Sequence, residues 1–294
     1  MNTFRLLVAV FTFTSVSLQA FAKSTALVAP GAQIEKVASG FTFTEGPATD
    51  GAGNVFFCDN KHARIFKWSL DGTVTLFRDK LAGTNGMMFD ARGQLIVCEF
   101  RTGRAVASLA PDGSVKTLVS EFEGKPLNSP NDLWIDATGG IYFTDPFYQK
   151  RAANADPDSD NVYYLPSDRS RPMEVVARLD RPNGVTGSND GKTLYIGQPQ
   201  AKKTMVYTIN HDGSLSNGRI FAASGADGIG IDERDNVYLA TDSIEIWSPA
   251  GVLLEKIAVP EAPANLTWGG TDRKTLFITA KTSVYTLKMK VTGY

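Results

Sequence analysis

Short apolar runs recur along the chain, and each one follows a turn. Gly53-Asn54 precedes Val55-Phe56-Phe57, Gly93-Gln94 precedes Leu95-Ile96-Val97, and Gly139-Gly140 precedes Ile141-Tyr142-Phe143. The same pattern returns at Asp190-Gly191-Lys192 before Leu194-Tyr195-Ile196, and at Asp235-Asn236 before Val237-Tyr238-Leu239. In front of these turns lie segments that align with one another: Glu45-Gly-Pro-Ala-Thr-Asp50, Asn85-Gly-Met-Met-Phe-Asp90, Asn131-Asp-Leu-Trp-Ile-Asp136, Asn183-Gly-Val-Thr-Gly-Ser188 and Asp227-Gly-Ile-Gly-Ile-Asp232. Asn265-Leu-Thr-Trp-Gly-Gly270 makes a sixth, and the six starts are 40, 46, 52, 44 and 38 residues apart. A second turn follows later in several repeats, at Asp71-Gly72, Asp112-Gly113, Asp212-Gly213 and Ala250-Gly251. Asp-Gly between alternating runs such as Thr73–Phe77 is a hairpin signal. No stretch sustains a helical i, i+3, i+4, i+7 pattern.

Each unit therefore reads as four short strands. A period near 40 with four strands per unit is the mark of a β-propeller, and six units predict an all-β, six-bladed one. An irregular β-sandwich is the alternative. The sixth repeat has room for only three strands, near Leu266, at Leu276–Thr279 and at Ser283–Met289. The segment Gln33–Val37 is expected to supply the fourth and close the ring.

In a propeller the innermost strand of each blade lines a central channel. The repeat starts Glu45, Asn85, Asn131, Asn183, Asp227 and Asn265 all carry a side-chain oxygen, although Asp, Glu and Asn make up only 45 of the 294 residues. Strands disfavour Asn and Asp, so a convergent ring of such oxygens suggests a bound hard divalent cation. Glu45 and Asp227 would neutralise its charge. Asn-Gly and Asp-Gly are also turn dipeptides, and Asn85 and Asn265, taken singly, read as turn residues.

Charge and composition narrow the picture. Lys and Arg number 30 against 31 Asp and Glu, a net charge of −1. Nucleic acid as the main partner is disfavoured, because phosphate binding needs a basic excess. Hydrophobic content of 43% fits a globular chain. Two His and two Cys exclude a His/Cys metal cluster and a disulfide-dense scaffold. The first 22 residues read as a signal peptide: Arg5, an apolar Leu6–Leu18, then Ala20-Phe21-Ala22 as a small-x-small cleavage site before Lys23. The expected product is a single propeller over 23–294, periplasmic or secreted, without stable membrane association.

With these residues in place, a family resemblance emerges. Asn128-Ser-Pro-Asn-Asp132 followed by Gly140-Ile-Tyr-Phe-Thr-Asp-Pro146 resembles the signature of the SMP-30/gluconolactonase/LRE-like proteins. Glu45-Gly-Pro47, Arg181-Pro-Asn-Gly184 and Asp227–Asp232 resemble its other motifs in order, over roughly residues 34 to 290. The resemblance implies a six-bladed propeller that hydrolyses a small lactone, with one divalent metal, Ca²⁺ first among candidates ahead of Mg²⁺, Mn²⁺, Zn²⁺ or Fe²⁺. Its implied ligands are Glu45, Asn131, Asn183 and Asp227, with Asp227 also the general base. Asn128, Asp132 and Asn85 are the expected substrate contacts. Diisopropyl-fluorophosphatases resemble the same ligand set, so an aryl ester or organophosphate is the rival substrate. A non-enzymatic binding propeller and a strictosidine-synthase-like one are further rivals.

The chain departs from the family pattern at two places. Glu99-Phe100 stands where Glu-His is common, and Asp145-Pro-Phe-Tyr-Gln149 where Asp-Pro-Pro-Tyr-Gly is usual. The following segment, Lys150 to Asn161, is long and is expected near the channel mouth. Asp156–Asn161 lacks the twelfth-position Glu of an EF-hand, since that position is Ser167. Cys58 and Cys98 both lie 13 residues after their repeat starts, an offset shared by Thr144 and Ala240. A small packing position explains them better than a disulfide. His62 and His211 read as surface residues. Neither a G-x-S-x-G elbow nor a phosphate loop is present.

Overall fold

A computed structural model describes residues 27–148, 160–169, 173–174 and 179–293. The signal-peptide segment 1–22, its cleavage site and nearly all of the Lys150–Asn161 loop lie outside these residues. Among the described residues there is no helix, and six four-stranded antiparallel sheets form the six predicted blades. From the channel outward, blade one is Thr44–Thr49, Val55–Asp59, Arg64–Trp68 and Val74–Arg78. Blade two is Thr84–Phe89, Leu95–Glu99, Ala105–Leu109 and Val115–Val119. Blade three begins with Leu133–Ile135 and Ile141–Asp145, blade four with Val185–Gly187 and Thr193–Gln198, and blade five with Ile229–Ile231 and Val237–Ala240. Blade six begins with Asn265–Gly269 and Thr275–Ala280.

The apolar runs seen in the sequence are the second strands, and they are apolar because both of their faces are covered. Phe56 and Cys58 pack toward Met87, Leu95 and Val97 of blade two. Val55 and Phe57, pointing the other way, pack on Phe277 and Val284 of blade six. Equivalent clusters fill the remaining clefts, around Ile96 and Phe143, Tyr142 and Val185, Tyr195 and Leu239, and Tyr238 and Leu276. The core is thus six wedges between neighbouring blades rather than one central mass. A strand buried on both faces needs no hydrophobic alternation. Outer strands such as Val74–Arg78 meet solvent and mix exposed with half-buried positions.

The ring closes as the repeat count requires. Glu35–Ser39 pairs antiparallel with Ser283–Lys288, so the N-terminal strand is the outermost strand of the last blade. The seam is pinned by Glu261. Its carboxylate accepts from Thr282 N at 2.9 Å, Thr282 Oγ1 at 2.8 Å, Tyr285 OH at 2.8 Å and the Ser283 hydroxyl, with Lys36 Nζ at 3.6 Å. Burial alone would raise its pKa, but the hydrogen bonds from Ser283, Thr282 and Tyr285 prevail and bring it down to about 2.

Cys58 and Cys98 are free and buried, in keeping with packing roles. Cys58 Sγ also lies 3.6 Å from the carbonyl of Asn85. His62 sits with a half-exposed side chain on Asp59, 2.8 Å away.

Because the pKa of Glu261 falls on folding, its stabilising contribution is complete above the unfolded carboxylate value near 4.5 and is lost as pH drops toward about 2. Glu261→Gln is expected to lower the melting temperature at pH 7, with the gap to the parent protein narrowing below pH 4.5. Melting curves of both proteins across that acid range check this; a gap independent of pH would show that the carboxylate's charge does not hold the seam.

Candidate metal and catalytic site

The repeat starts meet where predicted, at the channel ends of the innermost strands. Glu45, Asn85, Asn131, Asn183 and Asn265 are all less than 9% exposed, and Asp227 is half-buried. Asn85 and Asn265 correct one expectation, for both belong to strands, Thr84–Phe89 and Asn265–Gly269, and not to turns. The reason is local. The pairing of Thr84–Phe89 is irregular between Thr84 and Met87, and that of Thr44–Thr49 between Glu45 and Ala48. Asn-Gly and Glu-Gly-Pro therefore form bulges at the head of a strand. Gly46 has φ +48°, and a Cβ there would lie 1.8 Å from the Asn85 carbonyl oxygen; only glycine fits.

Backbone contacts between blades hold the ring. Gly86 N donates to Asn131 O at 2.8 Å, and Gly184 N to Asp227 O at 2.6 Å. Thr144 Oγ1 donates to Asn183 O at 2.7 Å, from the same offset at which Cys58 faces Asn85 O. Cys58 and Thr144 thus face the next ring residue's carbonyl in blades one and three.

A further layer went unread in the sequence. Fourteen residues after Glu45, Asn85 and Asn131, at the ends of the second strands, stand Asp59, Glu99 and Asp145. Each accepts backbone N–H groups from the linker just before its ring residue. Asp59 takes Thr42 N and Phe43 N at 3.1–3.2 Å, Glu99 takes Ala82, and Asp145 takes Asn128 N at 2.8 Å and Ser129 N at 2.6 Å. Gln198 does the same for Asp180 N at 3.0 Å. The regular offset was a legible signal.

Inside the ring the charges are alike. Glu45 has its pKa raised well above the usual value, first by burial and then by the charge of Asp227. Burial lifts Asp227 to about 6 and Asp132 to about 7. None of the three has a Lys or Arg ion-pair partner among the described residues. Gly46 N donates to Glu45 Oε2 at 2.7 Å, and Asn265 Nδ2 lies 3.5 Å from Asp132 Oδ2. Tyr148, which the sequence reading passed over, reaches into the same group. Its hydroxyl accepts from Asn183 Nδ2 at 2.8 Å and Asn131 Nδ2 at 3.3 Å. Burial, followed by the charges of Asp227 and Glu45, pushes its pKa well up.

Asn128 and Asp132 flank Asn131 but part company. Asn128 lines a cavity of about 450 Å³ at the channel mouth together with Tyr148. Asp132 borders a separate cavity of about 410 Å³ in the channel beyond the ring, walled by residues such as Met87, Trp134 and Ile229. Of the three expected substrate contacts, Asn128 and Asp132 therefore do not share one pocket.

The donors suit a hard cation. Among the described residues no three His, Cys, Asp or Glu side chains group as a metal site, so a cation here must draw on amide oxygens as well. Asn85 Oδ1 is buried with no hydrogen-bond partner, and Asn131 and Asn183 present amides whose oxygens a half-turn would bring inward. Carboxylates beside side-chain amide oxygens, of which Asn85 Oδ1 is unsatisfied, form an all-oxygen set of the kind hard divalent cations favour.

Fold and site together define a six-bladed propeller with an acidic, amide-rich channel centre. Residues 43–282 match the model of the SMP-30/Gluconolactonase/LRE-like region, and the chain belongs to that family. It is similar to a gluconolactonase from Zymomonas mobilis subsp. mobilis, 28% identical over 88% of this chain and 82% of that one. A lactonase, Drp35, from Staphylococcus saprophyticus is 28% identical over 74% of this chain and 69% of its own. The solved structure of a gluconolactonase from Xanthomonas campestris superposes with a TM-score of 0.81 at 32% identity, covering 90% of this chain and 91% of that one.

Like charges packed in a low-dielectric site oppose folding unless a cation joins them. Glu45→Gln is expected to raise the melting temperature in chelator at pH 8, by about 2–4 °C for each ~1 kcal/mol relieved, and to diminish the further rise that Ca²⁺ brings. Asn85→Ala should leave more of that rise in place. Melting curves with and without Ca²⁺ for the three proteins test this; equal Ca²⁺ responses in Glu45→Gln and the parent would remove Glu45 from the ligand set.

Proposed function

We propose that this chain hydrolyses small lactones, with a sugar lactone of the gluconolactone type as the substrate class. One observation carries the reading: buried Glu45 and half-buried Asp227, both with raised pKa values, converge with Asn131 and Asn183 in the channel of a chain similar to named lactonases. Glu45, Asn131, Asn183 and Asp227 would hold one divalent cation, Ca²⁺ by ligand hardness. The cation would supply Lewis acidity toward the lactone carbonyl.

The protein's own groups do the rest. Asp227 takes a proton on its carboxylate from the water that attacks the carbonyl carbon. The ring C–O bond then breaks, and the departing oxygen takes the proton back from Asp227, becoming the hydroxyl of the hydroxy acid and regenerating the carboxylate. Without a cation, burial makes this carboxylate more basic than a solvated one, with a pKa of about 6; a bound cation would offset part of that rise and keep it ionised at neutral pH. Tyr148 OH, hydrogen-bonded to the Asn131 and Asn183 amides, orients them and covers the site from the mouth side. Asn128 borders the approach.

Asp227→Asn is expected to lower kcat by about 10²–10⁴-fold at saturating cation, since removing a general base typically costs that much. The melting curve should stay cooperative, because the blade cores rest on residues such as Phe57 and Phe143. The readout is kcat on gluconolactone corrected for spontaneous opening; a variant keeping more than about a tenth of the parent rate would move the base to another group, Asp132 first.

We also propose that the protein is exported and acts in the periplasm or outside the cell, on the strength of Arg5, the apolar Leu6–Leu18 and Ala20-Phe21-Ala22. Mass analysis of protein from the periplasmic fraction is expected to give Lys23 as the first residue, and an intact Met1 on that protein would count against export by this signal.

A further inference from the structure

The mouth cavity of about 450 Å³ has an unusual wall: Phe100, Arg101, Arg104, Asn128, Phe147 and Tyr148. Phe100 and Phe147 give it two apolar aromatic faces, next to the ring. Tyr148 joins the two compartments, since its hydroxyl touches the Asn131 and Asn183 amides while its residue lines the cavity.

The charge on this wall is positive. Arg101 and Arg104 are both exposed, and among the described residues neither has a carboxylate within ion-pair distance. Both are held in place. The Arg101 stem packs over Gly83, where a Cβ would come within 2.7 Å of it, and its guanidinium lies 5.3 Å from the centre of the Phe100 ring. Arg104 Nε donates to the Asn128 carbonyl at 3.0 Å, which leaves its terminal nitrogens for another acceptor. The nearby carboxylates are occupied beneath this surface. Asp145 accepts the Asn128 and Ser129 amides, and Glu99 is tucked under Gly103. A neutral polyol offers such a wall nothing that the aromatic faces and Asn128 could not supply. Two guanidiniums beside a ring site are matched by a carboxylate or phosphate, which arginine binds in paired hydrogen bonds.

From this arrangement, and resting on the lactonase reading above, we infer that the preferred substrate is a sugar lactone carrying an anionic group, carboxylate or phosphate, at the end remote from the ester. Arg101 and Arg104 receive that group, while Phe100 and Phe147 flank the carbon skeleton. The ester end then points past Tyr148 to the ring oxygens. The rings of Phe100 and Phe147 are flat apolar faces, which suit a sugar ring's C–H surface.

The experiment compares kcat/KM on three lactones with the full-length, cation-loaded protein: neutral gluconolactone, a glucaric acid monolactone, and gluconolactone phosphorylated on its terminal hydroxyl. At least one anionic lactone is expected to be preferred about tenfold or more, in line with charge-assisted hydrogen bonds. The preference should shrink as salt is raised. Arg101→Gln and Arg104→Gln, checked for cooperative melting, are expected to cut the anionic-to-neutral ratio about tenfold each. The member of the anionic pair that is preferred tells carboxylate from phosphate. An anionic-to-neutral ratio of one or less in the parent, or a ratio unchanged in both variants, overturns the inference while leaving the lactonase reading intact. Should none of the three lactones open, that reading fails, and calorimetry decides the inference alone. Glucarate or phosphogluconate binding more tightly than gluconate, and weakened by Arg101→Gln, sustains an anion site; equal binding of all three overturns it.

Discussion

Negative charge gathered inside a narrow protein channel is the condition that organises this molecule. Glu45, Asp132 and Asp227 come from three different blades, yet each raises the cost of ionising another. No local segment could hold them together, because each is delivered by a separate innermost strand. The opposing force is supplied at a distance, by six apolar wedges in which every second strand is covered on both faces. Fold and site are in this sense inversely related. The wedges stabilise the ring geometry, and that geometry keeps carboxylates at a separation that water alone would not permit.

Between core and ring lies a device repeated from blade to blade. A polar residue at the end of each of the first four second strands receives amides from the linker that leads into the ring position of its own blade. One step earlier, a small residue faces the following blade's ring carbonyl. In blade one this is the Cys58 thiol and in blade three the Thr144 hydroxyl. The ring side chains are therefore aimed by backbone hydrogen bonds at both ends of a bulge. Such anchoring keeps polar groups where a cation or a transition state needs them without reorganisation.

Much of this was legible before any coordinates. Turn dipeptides and apolar runs repeat at the period of a four-stranded blade, and the short sixth repeat announced that an N-terminal strand would complete it. Asn85 misled because Asn-Gly is a turn signal at the scale of two residues, and Asn265 because Asn is disfavoured in strands, whereas here the pairing with the second strand decides both. Tyr148 was invisible for a different reason. Its place depends on how the chain leaves blade three, and no periodic rule governs that. The carboxylates at Asp59, Glu99 and Asp145 were regular enough to find, but an acidic residue closing an apolar run reads as an ordinary strand end. The oxygen ring could be anticipated because it is tied to the repeat; the mouth could not, because it lies where the repeats differ.

The seam between Glu35–Ser39 and Ser283–Lys288 has a temporal meaning as well. The strand that completes the last blade is synthesised before every other blade strand, and its partner after all of them. For nearly the whole of elongation this strand has no neighbour, and the loop it must close grows to some 245 residues before pairing begins. The entropy of such a closure rises only with the logarithm of loop length, so the finished circle costs little more than a smaller one would. Its benefit is a chain that cannot lock shut early, and that joins its two ends only when every blade between them is present to be held.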